Sequence, residues 1–211
     1  MDLLLFDLDG TLADTKADIA TAVNLTLREY GLTQHPPEQI YAFVGDGVRA
    51  LLARAFESRG AEAFEDALAV FRRHYLDHLL DATRFYPGVS EVLDHFADKK
   101  KAIVTNKPIE YTLKLIEGLK ARDVFDAILG ANSTPHIKPH PGMILKVLED
   151  LRVAPDRAVM VGDNVNDILA ARAAGVASVA VGYGLGDPGT LKAANPDWFC
   201  ERIEDLMRLV H

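Results

Sequence analysis

The sequence predicts an α/β fold, a parallel sheet flanked by helices, with an all-helical segment inserted after the first strand. Short apolar runs alternate with helical spacing over most of the chain, as successive strand–helix units do. One stretch, from about Thr15 to Leu80, breaks that rhythm and holds helical patterns only. Polar residues also collect just after the apolar runs, at the sheet edge where open parallel sheets receive ligands.

Leu3 to Leu8 is the first strand-like run, and it leads into Asp7-Leu8-Asp9-Gly10-Thr11. Strand side chains alternate, so Asp7 and Asp9 are expected to look toward the same space. Two such carboxylates repel each other unless a cation, a proton or different tasks separate them. One then serves as nucleophile or metal ligand while the other carries a proton. Gly10 and Thr11 turn the chain away. Taken alone, the segment reads equally well as an acidic turn after a strand.

In the insert, Ile19, Val23 and Leu27 recur at helical spacing, as do Phe64, Leu68, Phe71, Tyr75 and Leu79. Gly31, Pro36-Pro37, Gly45 and Gly60 punctuate it. The pattern predicts a small helical bundle over residues 14–83, set into a sheet domain of residues 1–13 and 84–211. Its linkers fall near Leu12–Asp14 and Ala82–Pro87. A unit joined by two chain crossings can close over a site and reopen. Phe64, Phe71 and Tyr75 read as the core of the insert. His74 and His78 are one helical turn apart, a Zn²⁺ spacing, but no third ligand is evident and a solvated helix face is expected.

Beyond the insert, Val89–Asp98 is helical and Lys101–Thr105 is the next strand, followed by Asn106-Lys107-Pro108. Pro108 suits the start of the helix at Ile109–Leu119. The Thr105 hydroxyl and the amides after it lie where a helix N-terminus can hold an anion. A short strand at Ala127–Leu129 precedes Ile137-Lys138-Pro139-His140-Pro141-Gly142. That proline-bounded loop fixes one lysine, which suits a phosphate oxygen, although a solvated loop lysine is the commoner case. A helix follows over Gly142–Leu151. The strand Ala158–Val161 then ends in Gly162-Asp163-Asn164-Val165-Asn166-Asp167. Clustered carboxylates with oxygen-rich neighbours suit Mg²⁺, a hard cation. Helix capping explains one of the two acids but not both. A helix at Val165–Ala174, a strand at Ala177–Val181 and a helical stretch at Leu191–Ala193 complete the alternation, and Trp198 and Phe199 close the sheet edge. Cys200 has no adjacent base to make it a nucleophile.

The chain has 211 residues, 49% of them hydrophobic, enough for one domain or one domain plus an insert. A net charge of −8 argues against nucleic-acid binding, which needs a basic face. An anionic substrate must therefore meet a local positive site. One cysteine excludes an internal disulfide and fits a reducing compartment. No apolar run approaches membrane-spanning length, and Met1 leads straight into strand-like sequence, so neither membrane nor signal peptide is expected. A cytoplasmic location follows as the expectation.

Taken together and in this order, Asp7-Leu8-Asp9-Gly10-Thr11, Thr105, Lys138, and Gly162-Asp163 with Asp167 resemble the four motifs of the haloacid dehalogenase superfamily. The resemblance spans nearly the whole chain and implies a Rossmann-like core with a small helical cap. Within the superfamily the chain looks most like the phosphoglycolate phosphatases. The local likenesses are Val44-Gly45-Asp46-Gly47, Val104-Thr105-Asn106-Lys107-Pro108 and Lys138-Pro139-His140-Pro141. Asp46 stands where an Asn between the glycines is more usual in that group.

By this resemblance Asp7 is the nucleophile and Asp9 the general acid and base. Mg²⁺ is the implied cofactor, with Asp7, the Asp9 carbonyl and Asp163 as ligands. Asp167 either binds the metal or orients Lys138. Thr105 and the Asn106 amide take phosphoryl oxygens, and Lys138 neutralises their charge. The presence of Asp9 favours phosphoryl transfer over dehalogenation. Lys16 is the only lysine between residues 14 and 83, which disfavours a phosphonate hydrolase with a cap Schiff base. Gly45, Asp46 and Gly47 are candidates to hold the rest of the substrate, with Arg49 either adding charge or lying on a solvated face. Asn106 and Lys107 are the other candidates to face the leaving group. The expected partner is a small anionic phosphomonoester, such as 2-phosphoglycolate, acted on by a monomer or homodimer. A pyrophosphatase, a sugar-phosphate mutase and a catalytically silent binding module are the alternatives.

Overall fold

The computed structural model describes residues 1–56 and 62–210. In chain order its strands are β1 (Leu3–Phe6), β2 (Ala13–Asp14), β3 (Arg84–Phe85), β4 (Lys100–Val104), β5 (Ala127–Leu129), β6 (Ala158–Gly162), β7 (Ala177–Val181) and β8 (Trp198–Cys200). The α-helices are α1 (Lys16–Glu29), α2 (Pro37–Tyr41), α3 (Val48–Ala55), α4 (Glu62–His78), α5 (Val89–His95), α6 (Ile109–Gly118), α7 (Gly142–Leu151), α8 (Val165–Ala174), α9 (Pro188–Ala193) and α10 (Leu206–Leu209).

Six strands form one parallel sheet in the order β5-β4-β1-β6-β7-β8. The chain leaves β1 in one direction through β4 and β5, then returns to β6 on the other side. That reversal opens a crevice beyond the C-terminal ends of β1, β4 and β6. Every residue of β1 is fully buried. Leu4 and Phe6 pack into the larger apolar cluster with Val92, Leu115 and Ile116 from α5 and α6. Leu3 and Leu5 point the other way, into a cluster with Met143, Val147 and Ala171 from α7 and α8. A strand covered on both faces reads as a continuous apolar run, which is why Leu3–Phe6 shows no polar alternation.

The insert is helical, as its spacing predicts. Ile19, Val23 and Leu27 of α1 are buried together with Ala67, Phe71, Tyr75 and Leu79 of α4. Gly60 and the Phe64 side chain lie outside the described residues. The two expected linkers are not plain crossings. They pair as an antiparallel ribbon, Ala13 opposite Phe85 and Asp14 opposite Arg84. Two short segments running side by side satisfy each other's backbone groups, which a lone linker cannot do. Buried Asp18 at the start of α1 staples the return crossing. It accepts from the amides of Ala82 at 2.9 Å and Thr83 at 2.8 Å, and from the Thr83 hydroxyl at 2.7 Å.

Among the described residues no helix is long and apolar enough to cross a membrane. His74 contacts Glu29 at 2.7 Å and His78 contacts Asp81 at 2.8 Å. Cys200 is buried in β8, and burial pushes its thiol up to about 11, away from nucleophilic use at neutral pH.

Candidate active site

β1 stops at Phe6, so Asp7 is the first residue past the strand rather than part of an alternating pair with Asp9. A tight turn brings Asp9 back instead. The Leu12 and Ala13 amides donate to the Leu8 carbonyl at 3.0 and 2.9 Å, and the Gly10 amide donates to the Ala13 carbonyl at 3.0 Å. Gly10 makes that turn with φ +84°, and a Cβ there would sit 2.1 Å from Asp163 Oδ2. Glycine is thus required twice, for the backbone conformation and for the carboxylate against it. The expectation of strand alternation was wrong in cause, yet Asp7 and Asp9 do line one cavity.

Asp7, Asp163 and Asp167 converge, each offering a carboxylate oxygen within 4.8 Å of the others, and all three are buried. Asp163, just past β6, is held by the Thr11 hydroxyl at 2.9 Å and the Leu185 amide at 2.7 Å. Asp167 caps α8 by accepting from the Asn164 amide at 3.0 Å. Its other oxygen accepts from Lys138 Nζ at 2.6 Å. Lys138 is buried to 2% exposure, donates to the Val104 carbonyl at 2.6 Å and lies 3.0 Å from Asp7 Oδ1. That last approach is an ion pair without hydrogen-bond alignment, and Asp7 Oδ1 is left with no hydrogen-bond partner among the described residues.

The electrostatics follow from burial and from like charges at close range. Burial first, then the charges of Asp7 and Asp167, push Asp163 up to about 8. Burial also raises Asp167, to about 6, against the pull of Lys138. Burial would lower Lys138, but Asp167 and Asp7 outweigh it and hold the ammonium above its ordinary value. Without an ion the cluster holds more negative charge than one lysine balances. Three buried oxygen donors, one of them orphaned, fit a hard divalent cation.

Thr105 lies just past β4 and lines the cavity beside Asn106 and Lys107. The Asn106 side chain is committed elsewhere. It exchanges hydrogen bonds with Lys138, amide to Oδ1 and Nδ2 to carbonyl, both at 2.9 Å, and it donates to the Gly45 carbonyl at 3.2 Å. It therefore ties the lysine loop and the cap loop to the core.

Two of the cap candidates fall outside the cavity. Arg49 pairs with Glu65 at 2.7 Å on an exposed face, so a solvated ion pair satisfies it. Asp46 turns its carboxylate to Arg54 and to Asn166 Nδ2, the latter at 2.8 Å. Burial would raise Asp46, but these two donors hold it below its ordinary value. These two contacts tie the cap loop to α3 and α8. Gly45 and Gly47 do line the cavity. Gly45 has φ +123°, and a Cβ there would meet Asn164 Nδ2 at 2.4 Å.

The sequence left two residues underrated. Lys107, only 6% exposed, holds both oxygens of Asp9 at 2.9 and 3.0 Å, and Thr15 Oγ1 adds a bond to Asp9 at 2.6 Å. Tyr75, assigned to the cap core, also forms a cavity wall, together with Ile19, Val44, Val48, Leu51, Phe71 and Tyr111. The cavity measures about 50 Å³, against roughly 10–15 Å³ for one water, so it suits a ligand of few atoms.

Comparison with known proteins places this architecture. The family model described as haloacid dehalogenase-like hydrolase matches residues 4–181, from β1 through the insert to the end of β7. The chain belongs to that family. It is 41% identical over 210 residues to a phosphoglycolate phosphatase of Chromobacterium violaceum, covering 96% of this chain and 95% of the relative. It is 36% identical over 212 residues to a phosphoglycolate phosphatase of Aquifex aeolicus, covering 100% and 97%. Among solved structures, a predicted phosphoglycolate phosphatase from Haemophilus somnus superposes with a TM-score of 0.94 at 29% identity, covering 99% of this chain and 97% of that one.

Proposed function

We propose that this chain is a Mg²⁺-dependent phosphatase that hydrolyses 2-phosphoglycolate to glycolate and phosphate. The observation that carries the reading is the meeting of Asp7, Asp9, Lys138, Asp163 and Asp167 at one sheet edge, beside a cavity of about 50 Å³ under the cap. The full-length likeness to phosphoglycolate phosphatases supports the substrate.

Asp7 attacks phosphorus through a carboxylate oxygen, forming an aspartyl-phosphate as the ester bond breaks. The departing glycolate oxygen takes a proton from Asp9. Water then attacks the aspartyl-phosphate, giving its proton to Asp9 and regenerating Asp7. Lys138, fixed by Asp167 and the Val104 carbonyl, balances charge on the phosphoryl oxygens. The Thr105 hydroxyl and the Asn106 amide bind those oxygens from the start of α6. Asp7, Asp163 and the Asp9 carbonyl would hold Mg²⁺, which when bound offsets the repulsion between anionic nucleophile and anionic phosphate. Asp167 has both oxygens engaged, which supports a positioning role for it toward Lys138. The division into a core of residues 1–13 and 84–211 and a cap of 14–83 belongs to this reading, with the β2–β3 ribbon as the hinge.

The test is Mg²⁺-dependent phosphate release across a panel of small phosphomonoesters. A strong preference for 2-phosphoglycolate is expected. Turnover of other esters with none of this one would discard the substrate and keep the chemistry.

A further inference from the structure

The geometry points to Lys107 and Tyr75 as the receptor for the leaving-group carboxylate. This inference rests on the phosphoglycolate reading and assigns the half of the substrate that the phosphoryl site does not touch.

Lys107 is the one cation among the residues lining the cavity. Its ammonium has three donors. Two meet the oxygens of Asp9, and no acceptor among the described residues takes the third. The Tyr75 ring lies under the ammonium, 4.6 Å from Nζ to the ring centroid. A cation seated on an aromatic face is held at one position. Tyr75 itself is 1% exposed, and its hydroxyl has no hydrogen-bond partner among the described residues. A buried hydroxyl left unpaired is costly unless a ligand completes it. Its ring packs against Phe71 at 5.4 Å and Tyr111 at 5.1 Å between centroids, which holds the residue in place.

The reach is right for a short ester. An ester oxygen hydrogen-bonded to Asp9 lies about 2.7 Å from that carboxylate. Lys107 Nζ is 2.9 and 3.0 Å from the same carboxylate. An anion one carbon beyond the ester oxygen therefore falls within reach of the ammonium. A longer leaving group meets Ile19, Val48, Leu51 and Phe71, which offer no polar atom. The same lysine thus places the acid and senses the group that the acid must protonate.

The experiment compares 2-phosphoglycolate with ethyl phosphate, which lacks the carboxylate, in wild type, Lys107→Met and Tyr75→Phe. The readout is the ratio of the two kcat/KM values, with KM and kcat separated. Lys107→Met is expected to lower the ratio at least tenfold, and Tyr75→Phe severalfold, mainly through KM for phosphoglycolate. Tyr75→Phe removes an oxygen with no hydrogen-bond partner among the described residues, so its folding is not at risk if Lys107→Met misfolds. Equal losses on both substrates would mean that these residues only shape the site, and would overturn the assignment while leaving the substrate reading intact. A wild-type enzyme that does not prefer phosphoglycolate would overturn both.

Discussion

The core edge and the cap face each other across one cavity and are built on opposite principles. The core contributes the buried Asp7, Lys107 and Asp163 and the part-buried Asp9, with buried Lys138 paired to Asp7, all placed by strand ends and loops. The cap contributes Ile19, Val44, Val48, Leu51, Phe71 and Tyr75, with the Asp46 carboxylate turned outward to Asn166. In the proposed mechanism, charge on a rigid floor performs the chemistry, and an apolar lid excludes water and limits size. A moving element that carried the charges would have to desolvate them at every closure, at a cost of several kcal/mol per ion.

Changes to the floor should cost most. Asp7→Asn keeps the side chain's size and is expected to lower kcat by about 10⁴-fold or more, as loss of a nucleophile does. Residual phosphate release near wild type in a clean preparation would remove Asp7 from its role. Asp9→Asn should slow alkyl phosphates by about 10²–10⁴-fold, and p-nitrophenyl phosphate much less, because that leaving group departs without a proton. Equal losses on the two would contradict the acid role.

The charge imbalance of the floor has a thermodynamic signature. Burial and like charge raise Asp163 to about 8, and burial raises Asp167 to about 6, in the folded chain, against about 3.9 when unfolded. Between these limits the folded state binds more protons than the unfolded state. The stability these groups contribute is fully present below about pH 4 and is lost as pH rises through 6 and 8. In chelator, the urea midpoint should therefore fall from pH 6 to pH 8, and added Mg²⁺ should restore more at pH 8 than at pH 6. A midpoint that rises over that interval without metal would refute the account.

The lid should be softer. Asp46→Ala removes the latch to Asn166 and is expected to raise KM about two- to tenfold, the worth of one hydrogen bond, with kcat less affected. Arg49→Ala, which breaks an exposed pair with Glu65, should leave steady-state kinetics within error. A larger effect from Arg49 than from Asp46 would reverse the assignment of the two.

The same contrast governs what could be read from the chain. The sheet strands and the helices at Gly142–Leu151 and Val165–Ala174 are written as local patterns, and the structure follows them closely. The positions of Asp7, Thr105 and Asp163 were legible because a strand end and the polar residue after it are neighbours in sequence, whereas Lys138 lies in the long loop between β5 and α7. The pairing of β2 with β3 was not, since it joins residues 13–14 to 84–85 and neither segment carries a strand pattern. The outward turn of Asp46 depends on Asn166, 120 positions away. The clamp of Lys107 on Asp9 spans 98 positions. Local spacing determined by itself which residues could carry charge to the sheet edge. Only the closed tertiary structure decided which charges meet, because an ion pair buried between distant segments has no periodicity and leaves no mark on either segment alone.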